Sequence, residues 1–267
     1  MIALRIPLLL TALAAVLSSH AQRKVIAGPI DAFTTDELGK IYVLHGDVIA
    51  LYDATGHSWL RNSVKTFGRI TNIDAYYSLK PMVFSQEQGQ LAVLDNTLSI
   101  QGSVFNLPRN GFPQVVLACM SVQNSFWFFD QQNQGLIRVD AQLRKQADTG
   151  RLDQLLGISP MPIAMQEFDS RLYLNDPKNG ILVFDLFGTY VKTIPIIGAK
   201  SFEVRDRVVY YFQDGKAFVY DMLSFAIEEV PIAEDLRADA LEVRIEHGHA
   251  YVRSADRIVI EPLPGER

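Results

Sequence analysis

Residues 170–195 read S-R-L-Y-L-N-D-P-K-N-G-I-L-V-F-D-L-F-G-T-Y-V-K-T-I-P. Three short strand-like pieces, Leu172–Asn175, Ile181–Asp185 and Tyr190–Ile194, alternate with turn residues. In Asp176-Pro177-Lys178-Asn179-Gly180 the proline presets φ, while Asn and Gly accept the left-handed conformation. In Asp185-Leu186-Phe187-Gly188 the carboxylate can accept hydrogen bonds from nearby backbone N–H groups. Three strands and two tight turns in 26 residues describe an antiparallel sheet and leave no room for a helical crossover.

The same pattern recurs along the chain. Gly39–Leu44 is followed by Val48–Asp53, and Gly89–Asp95 by Leu98–Ile100. Phe126–Asp130 precedes Leu136–Asp140, Val208–Phe212 precedes Ala217–Asp221, and His249–Arg253 precedes Arg257–Glu261. Anchored on Asp53, Gln101, Asp140, Asp185, Asp221 and Glu261, the spacings are 48, 39, 45, 36 and 40 residues. A period near forty with several strands per unit predicts a β-propeller, all-β, with six blades of four antiparallel strands. The innermost strands are expected at Pro81–Phe84, Gln114–Ala118, Ile163–Gln166, Phe202–Arg205 and Leu241–Ile245. The last copy ends one strand short after Ile258-Val259-Ile260, and Lys24–Ala27 is an unassigned apolar piece near the other end. Pairing the two closes the ring and removes an exposed edge. A five-bladed count, with one weak copy as an insertion, is the alternative. Leu60–Leu79 is the least regular stretch and reads as an excursion between the first two blades. One short helix is expected around Glu234–Leu241.

The pattern L-Y-L-x-D…I-x-x-[FY]-D-x-x-G, best carried by Tyr52-Asp53, Phe184-Asp185 and Tyr220-Asp221, resembles the NHL, YVTN and WD40-like group of bacterial β-propellers. The chain lacks the Trp-Asp dipeptide, the Gly-His signature and a strict YVTN tetrapeptide of that group. It is also similar to uncharacterised exported propellers of Gram-negative cell envelopes. That resemblance implies fold and location, and supplies no catalytic residues.

The chain opens with an Arg, an apolar run from Ile6 to Leu17 and the small residues Ser19-His20-Ala21. This is the layout of a secretory signal peptide, expected to span residues 1–21 with cleavage near Ala21. Residues 22–267 then form one propeller domain, periplasmic or extracellular, with no transmembrane segment in the mature chain. A net charge of −5 gives no electrostatic footprint for nucleic acid. Cys119 is the single cysteine and lies in an apolar strand, so it reads as a small buried hydrophobe with no disulfide partner.

No phosphate loop, nucleophile elbow, dinucleotide fingerprint or calcium loop is present. Asp53–Trp59 misses the Asp-box of sialidases by one residue and reads as a strand turn with Trp59 packed between blades. His247-Gly248-His249 lacks a third ligand at metal spacing and reads as a turn between an inner and a second strand. Phe126-Trp127-Phe128-Phe129 has rings on both faces, as a blade sandwiched between two neighbours requires. Tyr76, Tyr77 and Trp59 are the candidate interaction surface. Asp31, Lys80, Met161, Met165, Lys200 and Asp239 stand near inner-strand ends, where they are expected to line the central channel. No cofactor, metal or catalytic residue is assigned.

The function expected from this pattern is a non-catalytic binding scaffold, monomeric, whose partner is a protein of the cell envelope. The alternatives are a carbohydrate hydrolase or lyase, or a small-ligand or glycan sensor, working in the central channel.

Overall fold

The structure, a computed structural model, describes residues 23–76 and 79–264. The expected leader, its cleavage point near Ala21 and Tyr77 lie outside the described residues. Six four-stranded antiparallel sheets follow one another along the chain, and the molecule is a six-bladed β-propeller. The five-bladed alternative is thereby excluded.

Each blade runs from its innermost strand outward. The innermost strands are Ala32–Thr35, Asn72–Asp74, Val115–Ser121, Ala164–Phe168, Ser201–Arg205 and Glu242–Glu246. Each packs against the next, and Glu242–Glu246 packs back against Ala32–Thr35, so they ring a central channel. All six run in the same sense. One face of the disc therefore carries the first-to-second strand turn of every blade and the third-to-fourth turns of the first five. The opposite face carries the connections that enter the inner strands.

Closure follows the expected pairing. Lys24–Ala27 is the outermost strand of the sixth blade, with Lys24 opposite Ile260, Val25 opposite Val259 and Ile26 opposite Ile258. Arg23 tightens the joint by reaching Asp235 at 2.6 Å and Glu261 at 2.8 Å. An edge that would otherwise expose Ile258-Val259-Ile260 is covered.

The core lies between blades. Side chains alternate across each strand, so Phe126 and Phe128 join Met82, Phe84 and Leu91 of the second blade. Trp127 and Phe129 turn the other way and meet Leu172, Leu174 and Leu182 of the fourth. All four rings are buried, each worth about 1.5–3 kcal/mol on transfer from water. Gly180 explains why the fourth blade needs its glycine. Its φ is +99°, and an added Cβ would lie 2.6 Å from the carbonyl oxygen of Ile194.

The second blade departs from the sequence expectation. Its strands are Asn72–Asp74, Met82–Ser85, Gln90–Val93 and Phe105–Asn106, so Met82–Ser85 is second rather than innermost. The innermost strand has three residues with a single apolar one, Ile73, and gives no periodic signal. Leu98–Ile100 is no strand either: Ile100 forms an isolated bridge to Leu94 after a turn in which Leu98 has φ +60°. The equivalent of Asp53 in this blade is Asp95, not Gln101. Residues 60–79 are consequently no insertion. They hold the end of one blade's outer strand and the inner strand of the next, joined through buried Val64, Phe67 and Ile70. The short helix near residue 234 is found as Glu234–Arg237, beside a further one at Leu152–Leu156.

Candidate functional site

An inner strand has a partner on one edge only, so its other edge presents backbone N–H and C=O groups to the channel. Side chains from neighbouring blades take up many of these. Asn72 Nδ2 donates to the carbonyl of Ala118 at 2.9 Å, and Asp74 accepts from the N–H of Met120 at 2.9 Å. Gln166 uses both ends of its amide on Val204, at 2.9 and 3.1 Å. Ser201 Oγ donates to the carbonyl of Val243. Glu167 accepts from the N–H of Val122 at 3.0 Å and from Trp127 Nε1 at 2.7 Å. Several polar groups at the channel wall therefore bind blade to blade. Burial pushes the Asp74 carboxyl above the usual range, against the bonds it accepts.

Two cavities share the axis. One, about 270 Å³, is lined by Thr34, Asn72, Asp74, Gln166, Glu203 and Arg244 among others. The second, about 330 Å³, opens on the turn-bearing face beside Glu37, Phe168, Arg205, Asp206, Glu246 and His247. Tyr76 lines both and stands between them. Its ring meets Phe168 edge-on at 5.8 Å, and the Arg205 guanidinium lies over it at 5.2 Å. Burial raises the Tyr76 hydroxyl, with Arg205 opposing.

Arg205 is the hub of the floor. It pairs with Glu203 at 2.6 Å and with Glu246, both carboxylates being about 5% exposed. Arg244 adds a contact to Glu203 at 3.6 Å and to Glu242 at 3.3 Å, and Arg253 reaches Glu242 at 3.1 Å. Burial lifts Glu246 to about 7, because desolvation outweighs the attraction of Arg205. Two carboxylates converging on one guanidinium went unseen in the sequence. Glu203 and Arg205 are two apart on one strand, whereas Glu246 comes from the next blade.

The residues singled out from sequence scatter. Met165 is buried and lines the channel. Asp31, Met161, Lys200 and Asp239 lie in the connections entering inner strands, outside the channel wall. Asp31 accepts from the N–H of Gly46, Asp239 pairs with Arg257 at 2.9 Å, and Met161 is 73% exposed. Lys80 is exposed and donates to Asn124. Trp59 is not packed between blades. It is 64% exposed on an outer strand, with Lys40 Nζ 4.6 Å above its ring. Tyr76 is the channel partition just described rather than an outer surface. Cys119 is buried, and burial raises its thiol well above normal. Among the described residues no group of three or more His, Cys, Asp or Glu is placed to hold a metal ion.

One surface feature emerges only from the repeat. The turn between third and fourth strands begins with Asp53, Asp95, Asp140, Asp185 and Asp221 in the first five blades. Each Oδ1 accepts the N–H two residues on, from Thr55, Thr97, Gln142, Phe187 and Leu223, at 2.8–2.9 Å. Three blades thus place a polar residue at the tip, and the fourth and fifth place Phe187 and Leu223, 80% and 69% exposed. Phe225, two further on and 67% exposed, stands at the positive-φ position that Gly56, Leu98, Leu143 and Gly188 take in the other blades, the fifth turn being one residue longer. Trp59, Phe187 and Phe225 all sit at or beside turns of this one face. The turn itself does not require an apolar tip.

Structures similar to this one are β-propellers. The chain shares the propeller fold. Virginiamycin B lyase from Staphylococcus aureus has a TM-score of 0.60 at 11% identity, covering 91% of this chain and 99% of that one. The WD40 domain of Pan2 from Neurospora crassa gives 0.59 at 9% identity, covering 86% and 77%. PorZ, a surface component of the type-IX secretion system of Porphyromonas gingivalis, gives 0.54 at 13% identity, covering 92% of this chain and 33% of that one. At such identities the likeness concerns fold alone. No protein-family model matches the chain, and no curated protein matches it in sequence.

Proposed function

We propose that this propeller is an exported, non-catalytic scaffold that binds a protein of the cell envelope. The observation that carries the reading is the exposure of Phe187 and Leu223 at the tip position where three other blades have Thr55, Thr97 and Gln142, with Phe225 exposed beside them. Blades with Thr55, Thr97 and Gln142 make the same hydrogen bond from the tip N–H to the leading aspartate, so that bond does not account for the apolar tips. Exposed aromatic and aliphatic residues grouped on rigid turns are the usual material of protein recognition. The channel supports the same reading, because Asn72, Asp74, Gln166 and Glu167 are engaged in joining blades. Export is read from the N-terminal leader pattern. Among the described residues no helix is long and apolar enough to cross a membrane.

The test is affinity capture of the tagged mature chain from crosslinked envelope extract, beside a variant carrying Ser at 187, 223 and 225. A stoichiometric envelope protein lost with the variant supports the scaffold. Equal capture by both places the surface elsewhere, and a clean monomer with no partner removes the reading.

A second reading, a small ligand or sugar handled in the channel, draws on Glu246 held near 7 beside Arg205. Pairing of Glu203, Glu242 and Glu246 with arginines leaves it the weaker of the two. Binding of a glycan library to the isolated chain decides it.

A further inference from the structure

The channel floor holds a cluster that the scaffold reading does not use. Glu203 and Glu246 come from adjacent inner strands and share the Arg205 guanidinium. That guanidinium also supports the ring of Tyr76, the side chain that divides the two cavities. The partition therefore rests on a cation held by two buried carboxylates.

We propose that Glu203, Arg205 and Glu246 form a proton-operated latch on Tyr76. When Glu246 takes up a proton, Arg205 is left to Glu203 alone, and Tyr76 leaves its seat between the cavities.

The surroundings make Glu246 the member that titrates. On its own side His247 Nε2 lies 3.3 Å from Glu246 Oε1, and Arg244 faces Glu203 from the same strand. The neighbouring turns contribute Glu37 and Asp206, both lining the same cavity and both acting on Tyr76. Tyr251 from the adjacent strand, with Asp36 beyond it, completes the shell. Burial, with the nearby Glu246, Glu203 and Asp36 charges adding to it, pushes the Tyr251 hydroxyl up to about 12, so it stays neutral. Glu203 has Arg205 and Arg244 as cations, while Glu246 has Arg205 and an exposed histidine. Burial opposes the Glu246 charge, and its carboxyl is held near 7, where ordinary changes of pH outside a cytoplasm reach it.

The experiment is NMR of the full mature chain labelled with [13Cζ]tyrosine and [13Cδ]glutamate, titrated from pH about 5.5 to 8.5 around the neutral point. Tyr76 is assigned with Tyr76→Phe, and Glu246 through the backbone. The Glu246 carboxyl and the Tyr76 ring are expected to shift together with one midpoint near 7. Glu246→Gln should hold the Tyr76 signal at its acid position throughout, and His247→Ala should leave the coupled shift in place. A Glu246 carboxyl already ionised across the range overturns the latch. So does a Tyr76 signal that stays still while Glu246 titrates, or one that still titrates in Glu246→Gln. If Glu246→Gln does not fold, the paired titration in the unaltered chain decides by itself.

Discussion

Phe187 and Thr55 occupy the same position of one repeated turn. The backbone N–H of each donates to the aspartate two residues earlier, Asp185 and Asp53, at 2.9 and 2.8 Å. A shared backbone with opposite side-chain character separates what the blade needs for folding from what it presents outward.

Phe187→Ser should change stability by no more than about 0.5 kcal/mol, as surface substitutions away from packing do. Asp185→Ala should cost more, about 1–2 kcal/mol, because the N–H groups of Phe187 and Thr189 lose their acceptor. Urea denaturation of the two variants measures the difference. Equal losses would contradict the division of labour within the turn.

Stability should depend on pH in two opposite ways. Side-chain hydrogen bonds from Thr55 and Thr97 hold Asp53 and Asp95 below the usual range, and backbone bonds from Arg144 and Ser224 do so for Asp140 and Asp221. The folded chain binds fewer protons at these sites than the unfolded one. Their contribution is present above the ordinary aspartate range and lost as pH falls from there through the lowered folded values. Glu246 acts in reverse. Its carboxyl keeps a proton up to about 7 when folded, against 4.5 ordinarily, so stability declines as pH rises through that window. Thermal unfolding from pH 3 to 9 is expected to show both limbs. Asp140→Asn should weaken the acid limb and Glu246→Gln should flatten the neutral one.

Removing the closing strand should do more than remove its own contacts. A chain starting at Gly28 leaves Ile258–Ile260 as an uncovered apolar edge. We expect self-association visible in gel filtration, since exposed edges recruit other chains. Arg23→Ala, which deletes only the exposed ion pairs to Asp235 and Glu261, should remain monomeric and lose at most about 1 kcal/mol.

Trp127→Phe is expected to cost about 2–4 kcal/mol although it keeps an aromatic ring. The buried indole N–H is one of the two donors to Glu167, and its loss strands a carboxylate oxygen beside a small cavity. Trp127→Phe with Glu167→Gln should recover part of that loss in the same denaturation assay.

The ring was legible because its signals are local. Asp176-Pro177-Lys178-Asn179-Gly180 and the strand-ending aspartates fix turns through their own backbones, and apolar Lys24–Ala27 had one place to go. Asn72–Asp74 was not legible, since three residues with one apolar side chain carry no period. Trp59 was misjudged because an aromatic on an outer strand has the same local pattern as one between blades, and only three-dimensional context tells them apart. Of the residues named for the channel, Met165 lines it and others lie just outside. Asp31, Met161, Lys200 and Asp239 are close in sequence to inner strands, but the wall belongs to side chains such as Gln166 and Asp74 that reach across to the next blade. The Glu203–Arg205–Glu246 cluster joins strands some forty residues apart, a separation that single-sequence reading does not bridge.

The scaffold account is tested most directly by site-specific photocrosslinking in intact cells. A photoreactive phenylalanine analogue would replace Phe187 or Leu223 in one set, and Thr97 or Gln142 at the equivalent tips in another. The account predicts one shared protein adduct from positions 187 and 223, with none from 97 and 142. Equal labelling at all four tips, or no adduct at any of them, would contradict it.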